Sequence, residues 1–183
     1  MKKTYCPPHI FFLCGILSCW IFGFAALVHG EETLASPEES IPEPISLRGD
    51  LLDKSGEKVS PQVLEGKFVG LYFSASWCGP CRAFTPSLIK FREAHKENFE
   101  VVLIGADGSS KAQANYMKKY KMPWLALKNQ SREATEIRKS LQVPHIPFLV
   151  ILDPDGKIVS KNGRKEISRS GDDAFATWKK LPK

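Results

Sequence analysis

The sequence predicts an α/β domain in which helices cover a central mixed β-sheet. Three apolar runs, at 68–73, 101–104 and 148–152, have the length and continuity of strands that are buried on both faces. Segments with helical spacing lie between these runs, which indicates parallel pairing of the early strands. A strong turn signal at 153–156 then returns the chain as a hairpin, which adds an antiparallel edge to the sheet.

The first elements of the domain are expected to be a hairpin and a short helix. Apolar residues flank the turn sequence at 53–56, and this pattern predicts an N-terminal hairpin extension of the sheet. Ser60 and Pro61 then predict the start of a short helix, with Ser60 as its N-cap. Gly66 is expected to end this helix just before the first long strand.

The longer helices follow from apolar spacing and from capping residues. Pro86 is expected to interrupt and kink the first of them, because proline removes a helical hydrogen bond. Phe175 and Trp178 are expected to pack inward from the last one. The expected helices are 81–97, a segment from Ser109 or Ser110 to about Tyr120, a segment capped by Ser131, and 170–180.

The first 30 residues predict an export segment. Lys2 and Lys3 precede an apolar stretch at 10–28, and short residues follow it before an acidic run. The pattern fits a cleaved signal peptide over 1–30, an uncleaved membrane tether through 10–28, or a lipoprotein modified at Cys19. Each of these places the domain outside the cytoplasm, so we expect a periplasmic or other extracytoplasmic location.

Residues 31–44 predict a flexible acidic, proline-rich spacer, and the globular domain is expected to occupy 45–183. Removing the two N-terminal lysines and the five glutamates of the spacer from the total charge of +6 leaves +9 on the domain. The basic residues are scattered over several segments, so a solvated basic surface is the favoured interpretation. The sequence contains no nucleic-acid-binding motif.

Cys78 and Cys81 are the only cysteines of the predicted domain, since the other three of the five lie within the first twenty residues. Two cysteines at the start of a helix predict a redox pair, because the helix N-terminus favours the reactive thiolate. We expect Cys78 to be the exposed nucleophile and Cys81 to be the shielded resolving thiol. Gly79 and Pro80 shape the turn between them, and Arg82 adds positive charge.

Other uses of the cysteine pair are weighed against this interpretation. A zinc site needs further ligands, and His95 and His145 are the only histidines of the domain. Covalent haem attachment needs a histidine after the second cysteine, where this chain has Arg82. A permanent disulfide closing so small a loop would stabilise the fold little. We therefore expect no metal and no cofactor.

The sequence around the pair resembles the thioredoxin superfamily. The run Ala75-Ser76-Trp77-Cys78-Gly79-Pro80-Cys81-Arg82, with Pro86 after it, is similar to the redox centre of that family. Further segments resemble its tryparedoxin and nucleoredoxin branch, namely 72–77, 84–86, 122–126, 143–148, 152–156 and 162–164. The resemblance covers about 45–165, and it implies a thioredoxin-like fold with thiol–disulfide oxidoreductase activity.

The resemblance also implies roles for residues outside the pair. Trp77 would flank the nucleophile, and Pro147 would be a cis-proline that faces the two cysteines. The backbone of Ile146 would pair with a substrate strand in the groove, and Trp124 would lie near the same groove.

One position departs from many thioredoxins, which keep a buried carboxylate six residues before the first cysteine. This chain has Tyr72 there, as tryparedoxin-like proteins do, so the usual proton acceptor for Cys81 is missing. The candidates for a replacement are Glu65, Asp107 and His145, and water is a further one.

Together these observations predict an exported disulfide reductase. Gly-Pro between the cysteines resembles reducing members of the family, with potentials of about −270 mV, and differs from strong oxidants near about −120 mV. We expect a monomer that acts on disulfide-containing proteins, including cytochrome apoproteins, and receives electrons from a membrane partner. The alternatives are a disulfide oxidase or isomerase, and a binding or adaptor module whose cysteines are idle.

Overall fold

A seven-stranded mixed sheet forms the centre of the computed structural model, which describes residues 43–181. Its strands are β1 (Leu51–Leu52), β2 (Lys58–Val59), β3 (Phe68–Ser74), β4 (Phe99–Gly105), β5 (Leu125–Leu127), β6 (Phe148–Leu152) and β7 (Ile158–Ser160). They lie in the order β2-β1-β5-β4-β3-β6-β7, with β3, β4 and β5 parallel and the other pairs antiparallel. The predicted mixed sheet and its N-terminal hairpin are confirmed.

Helices cover both faces of this sheet. They are α1 (Gly79–Ala94), α2 (Ser110–Lys119), α3 (Arg132–Ser140), α4 (Gly163–Ser170) and α5 (Asp173–Trp178), with a short 3-10 helix at Pro61–Leu64. Ser109 and Ser131 cap α2 and α3, since each side-chain oxygen accepts a hydrogen bond from a backbone N–H of the first turn. Both caps agree with the sequence-based expectation.

The helices differ in detail from the sequence-based expectations at three places. Helix α1 continues through Pro86, because a single lost hydrogen bond is outweighed by the apolar face that α1 packs against the sheet. Ser60 is the N-cap residue of the short helix, as expected, but its side chain makes no capping hydrogen bond. The expected final helix at 170–180 is α5, which is shorter, at Asp173–Trp178, and the helix before it, α4, was not expected. Gly171, with a positive φ of 53°, lies between the two helices.

Successive side chains of β3 enter two different apolar clusters, as the alternation of a strand requires. Tyr72 belongs to the cluster that includes residues of α1, α2, α4 and α5. Phe73 belongs to the cluster on the opposite face, which includes residues of α3. The expected inward packing of Phe175 and Trp178 is confirmed, since both belong to the first cluster and are at most 3% exposed.

The strand directions bring three loops to one edge of the sheet. Strands β3 and β4 are parallel, so the loops after Ser74 and Gly105 leave the sheet side by side. Strand β6 is antiparallel to β3, and its first residue, Phe148, pairs with Phe73 near the end of β3. The loop that precedes β6 therefore lies beside the loop that follows β3.

The expected export segment at 1–30 and most of the acidic spacer lie outside the described residues. Between residues 43 and 181, no helix is long and apolar enough to cross a membrane.

Candidate active site

Cys78 and Cys81 form a disulfide at the beginning of α1. Cys78 is the N-cap residue of this helix, and its Sγ accepts a hydrogen bond of 3.2 Å from the backbone N–H of Cys81. Pro80 lies in the first turn, where its missing N–H costs no helical hydrogen bond. A backbone donor and the positive end of the helix dipole therefore both point at the sulfur of Cys78, and both favour a thiolate there.

The two sulfurs differ in access, and the residues beside them are exposed. Cys78 is 6% exposed, whereas Cys81 is fully buried, which is the order of access expected for an attacking and a resolving thiol. Trp77, directly before Cys78, is 65% exposed, so an apolar indole stands next to the reactive sulfur. Arg82 is exposed, and its guanidinium lies beside Gly79.

The Ile146–Pro147 peptide bond is cis, as the resemblance implied. Ile146 is partly buried and packs against a small cluster formed by Ala75, Cys78 and Cys81. The sheet register thus brings the loop before β6 against the redox pair, although the two segments are more than sixty residues apart. The roles of Ile146 and Pro147 in binding a substrate strand stay predictions.

Trp124, which was expected near the same groove, is buried in the core of the domain. Its side chain is 1% exposed and belongs to the main apolar cluster. Its ring packs edge-to-face against Tyr72, with 6.0 Å between the ring centroids. Trp124 directly precedes β5, and the pairing of β5 with β4 places the indole in the core on one face of the sheet.

A buried chain of hydroxyl groups lies behind Cys81. The Tyr72 hydroxyl donates to the Cys81 carbonyl oxygen at 3.1 Å, and Thr85 Oγ1 donates to the same oxygen at 3.0 Å. Thr85 also bonds to the Tyr116 hydroxyl at 3.2 Å, and that hydroxyl bonds to Ser74 Oγ at 3.0 Å. The chain fixes the backbone turn that carries the resolving thiol.

Sequence reasoning singled out only Tyr72 from this chain of hydroxyls. Thr85 could have been found, because it follows Cys81 by one helical turn and therefore lies on the same helix face. Ser74 and Tyr116 come from β3 and α2, and no local sequence signal pairs them.

Tyr72 is unsuited to accept a proton from Cys81. Burial raises the pKa of its phenol well above the ordinary value near 10, so the group stays protonated at neutral pH. At this position the chain therefore has a neutral hydrogen-bond donor in place of a carboxylate. The proton acceptor must be another group.

Asp107 is the candidate base that the structure joins to the redox loop. Its Oδ1 accepts hydrogen bonds from Ser76 N at 3.0 Å and from Ser76 Oγ at 2.6 Å. The residue is 1% exposed, and its Oδ2 is buried without a hydrogen-bond partner among the described residues. Asp107 therefore places a buried carboxylate against Ser76, which precedes Cys78 by two residues, and a carboxylate at the redox loop can serve as a general base.

The other two candidates are placed less favourably. Glu65 is exposed before the start of β3, so the length of that strand, roughly 20 Å, separates it from the cysteines. His145 is exposed, and its ring packs against Phe148 at 5.7 Å between centroids. Within residues 43–181, no three histidine, cysteine or acidic side chains come together in a group suited to a metal.

The fold and the site define a thioredoxin-like oxidoreductase: a cysteine pair at a helix start, faced by a cis-proline loop on a mixed sheet. A family model described as thioredoxin-like matches residues 66–158. Tryparedoxin from Trypanosoma brucei brucei is 45% identical over 133 residues, which are 70% of this chain and 90% of that protein. The chain belongs to the thioredoxin-like family, and its closely similar relatives are tryparedoxins and nucleoredoxins.

Solved structures agree with this assignment. Tryparedoxin from Trypanosoma brucei superposes with a TM-score of 0.65 at 41% identity, covering 73% of this chain and 94% of that one. Thioredoxin from Wuchereria bancrofti gives a TM-score of 0.64 at 32% identity, covering 74% and 96%. Human nucleoredoxin is 34% identical over 140 residues, but the chain spans only 32% of its length. The predicted thioredoxin-like fold and thiol–disulfide oxidoreductase activity are therefore confirmed.

Proposed function

We propose that this protein is an exported disulfide reductase that acts on protein substrates through Cys78 and Cys81. One observation carries the direction of attack: Cys78 is the cysteine with residual exposure, and its sulfur accepts the hydrogen bond from the N–H of Cys81. The Cys78 thiolate attacks one sulfur of the substrate disulfide, which forms a mixed disulfide and releases one substrate thiolate.

The resolving step releases the substrate from the mixed disulfide. Cys81 loses its proton to Asp107, directly or through a water, and its thiolate attacks the sulfur of Cys78. The Cys78–Cys81 disulfide then forms, and the second substrate thiolate leaves. Each of the two released substrate thiolates takes a proton from solvent, and Asp107 returns its proton to solvent. The substrate gains two electrons and two protons, and the protein is left oxidised.

The proposed direction is reduction, and the support for it is the Gly79-Pro80 pair between the cysteines, which resembles reducing members of the family. An external dithiol, which we propose to be a membrane protein, must then reduce the Cys78–Cys81 disulfide after each turnover. The export pattern of residues 1–30 supports an extracytoplasmic site of action. Protease protection of the full chain in intact cells, compared with permeabilised cells, tests the location.

Two measurements test the redox proposal. We expect the reduction potential, measured against glutathione buffers, to lie near about −270 mV, and a value near about −120 mV would make the protein an oxidant. We expect the wild type to reduce insulin with dithiothreitol as donor and Cys78→Ser to have no activity above background. Equal rates for the two proteins would support a binding or adaptor module instead.

A further inference from the structure

Arg82 and Lys119 line one surface pocket beside the redox loop. The pocket has a volume of about 340 Å³, and Ser76, Asn115 and Tyr116 also line it. It lies between the start of α1 and the end of α2. Ser76 directly precedes Trp77, so the pocket adjoins the loop that carries the nucleophile.

Both charged side chains that line this pocket, Arg82 and Lys119, are positive, and the carboxylate of Asp107, which bonds to Ser76 behind the pocket, is 1% exposed. Residues 108–132 contain six lysines and arginines and no aspartate or glutamate. Arg82 and Lys119 are both exposed, and neither forms an ion pair with any residue between 43 and 181. By contrast, Arg92 pairs with the carboxylates of Glu93 and Glu100.

Helix stabilisation explains only one of the two cations. Lys119 lies in the last turn of α2, where a positive charge interacts favourably with the helix dipole. Arg82 lies near the N-terminus of α1, where a positive charge is unfavourable and where the first turn holds no acidic residue. The positive charge of Arg82 favours the Cys78 thiolate, and the pocket that Arg82 shares with Lys119 offers the same charge to an anion from outside the chain.

We propose that this pocket binds a carboxylate from an acidic segment that flanks the disulfide of a protein substrate. The inference rests on the proposed reductase function, and it adds the class of substrate. The exposed Trp77 offers an apolar contact next to the reactive sulfur, and the pocket adds a charged contact one residue further back along the loop. The contact forms on binding and is kept through the reaction, so it lowers KM and leaves kcat unchanged.

The test uses the full chain and a pair of disulfide peptides that differ only in the residues beside one cysteine, two glutamates in one and two glutamines in the other. We expect the wild type to favour the acidic peptide by about fivefold in kcat/KM at low salt, through KM. We expect Arg82→Gln/Lys119→Gln to reduce this preference to about one. The matched control is Lys90→Gln/Lys111→Gln, because both lysines are exposed and lie eight residues along the same two helices, about 12 Å away.

We expect the control to keep the wild-type preference. An unchanged preference in Arg82→Gln/Lys119→Gln would overturn the proposal, and an equal loss in the control would assign the effect to the general field of the domain. A binding measurement separates this inference from the redox proposal: the Cys78→Ser/Cys81→Ser protein, which cannot react, should bind the labelled acidic peptide about fivefold more tightly than the neutral one. Preferential binding without turnover in the wild type would leave the pocket in place and remove the reductase function.

One further outcome concerns the glutamates of residues 31–43 of this chain. If changing these five glutamates to glutamine strengthened binding of the acidic peptide, the chain's own segment would be the occupant, and the proposal would be overturned. We expect this variant to bind the peptide as tightly as the wild-type sequence does.

Discussion

The hydroxyl of Tyr72 donates a hydrogen bond of 3.1 Å to the carbonyl oxygen of Cys81. The phenol thus holds the turn of α1 that carries the resolving thiol. Many thioredoxins have a carboxylate at the position of Tyr72. Thr85 Oγ1 donates to the same carbonyl, so the oxygen keeps one partner if the phenol is removed. The arrangement separates a structural role for Tyr72 from a role in proton transfer.

The substitution Tyr72→Phe tests this separation. We expect it to lower the free energy of unfolding by about 1 kcal/mol, the usual net value of a buried hydrogen bond, as measured by urea denaturation. The pH profile of insulin reduction should keep the wild-type midpoint, because a protonated phenol contributes no titration at neutral pH. A shifted midpoint would show that Tyr72 takes part in proton transfer. Tyr120→Phe, at a half-buried ring that packs edge-to-face against Tyr116, is the control for removing a hydroxyl.

Tyr72 should also make the fold sensitive to alkali. Burial raises its pKa, so the folded state favours the protonated phenol, and the unfolded phenol titrates near about pH 10. The associated stability is complete below that pH and is lost as the pH rises from there toward the folded pKa. We expect the wild type to lose more stability than Tyr72→Phe between about pH 9 and 11, measured by urea denaturation at each pH. Parallel losses in the two proteins would contradict this assignment.

Trp77 is exposed beside the nucleophile, and its removal should affect binding without affecting folding. We expect Trp77→Ala to raise KM for a protein disulfide by about three- to tenfold, because an exposed aromatic ring at a contact surface contributes roughly 1 kcal/mol. The thermal midpoint should stay within experimental error of the wild type. Val63→Ala, at another exposed apolar residue, should change neither quantity. An unaltered KM in Trp77→Ala would remove the indole from the substrate surface.

The sequence predicted well those elements whose signal is local. Strand β6 begins at Phe148 and ends at Leu152 as expected, because its apolar run is bounded by Pro147 and by a turn at Asp153. Helix α3 begins directly after Ser131, whose side chain caps it. The start of α1 at the redox pair, and the greater exposure of Cys78 than of Cys81, also follow from adjacent residues.

Features that depend on contacts between distant residues were missed. Strand β5 has three residues, and only its pairing with β1 and β4 makes it a strand. Helix α4 is mostly polar and has Ile167 as its one large apolar residue, so its periodicity is weak. The bond from Asp107 to Ser76 spans 31 positions, and it exists because β3 and β4 end side by side.

Trp124 was expected near the substrate groove, but the pairing of β5 with β4 buries it. Its substitution should therefore affect stability alone. We expect Trp124→Ala to cost about 3–5 kcal/mol through the cavity that it leaves in the core. Trp124→Phe should cost less, because phenylalanine fills part of the space and removes an indole N–H that is buried without a partner among the described residues. KM of Trp124→Phe for a protein disulfide should match that of the wild type. A raised KM would restore Trp124 to the substrate groove.

Asp107 has two proposed roles, as an acceptor of hydrogen bonds from Ser76 and as a proton acceptor, and two substitutions separate them. Asp107→Asn keeps an oxygen that accepts from Ser76 but removes the carboxylate, whereas Asp107→Ala removes both. We expect the asparagine variant to resolve the mixed disulfide about a hundredfold more slowly, the lower range for loss of a general base, as followed by stopped-flow fluorescence of Trp77. We expect the alanine variant to lose in addition about 1.5–3 kcal/mol of stability.

The attacking step adds a second readout for Asp107. The proposed role of Asp107 in proton transfer is confined to the resolving step, so Asp107→Asn should form the mixed disulfide at the wild-type rate, measured by the same stopped-flow signal. Glu65→Gln and His145→Gln should leave both steps unchanged, because neither side chain is joined to the redox loop. If Asp107→Asn resolved the mixed disulfide at the wild-type rate, water would be the proton acceptor, and the carboxylate would serve only to hold the loop before Cys78.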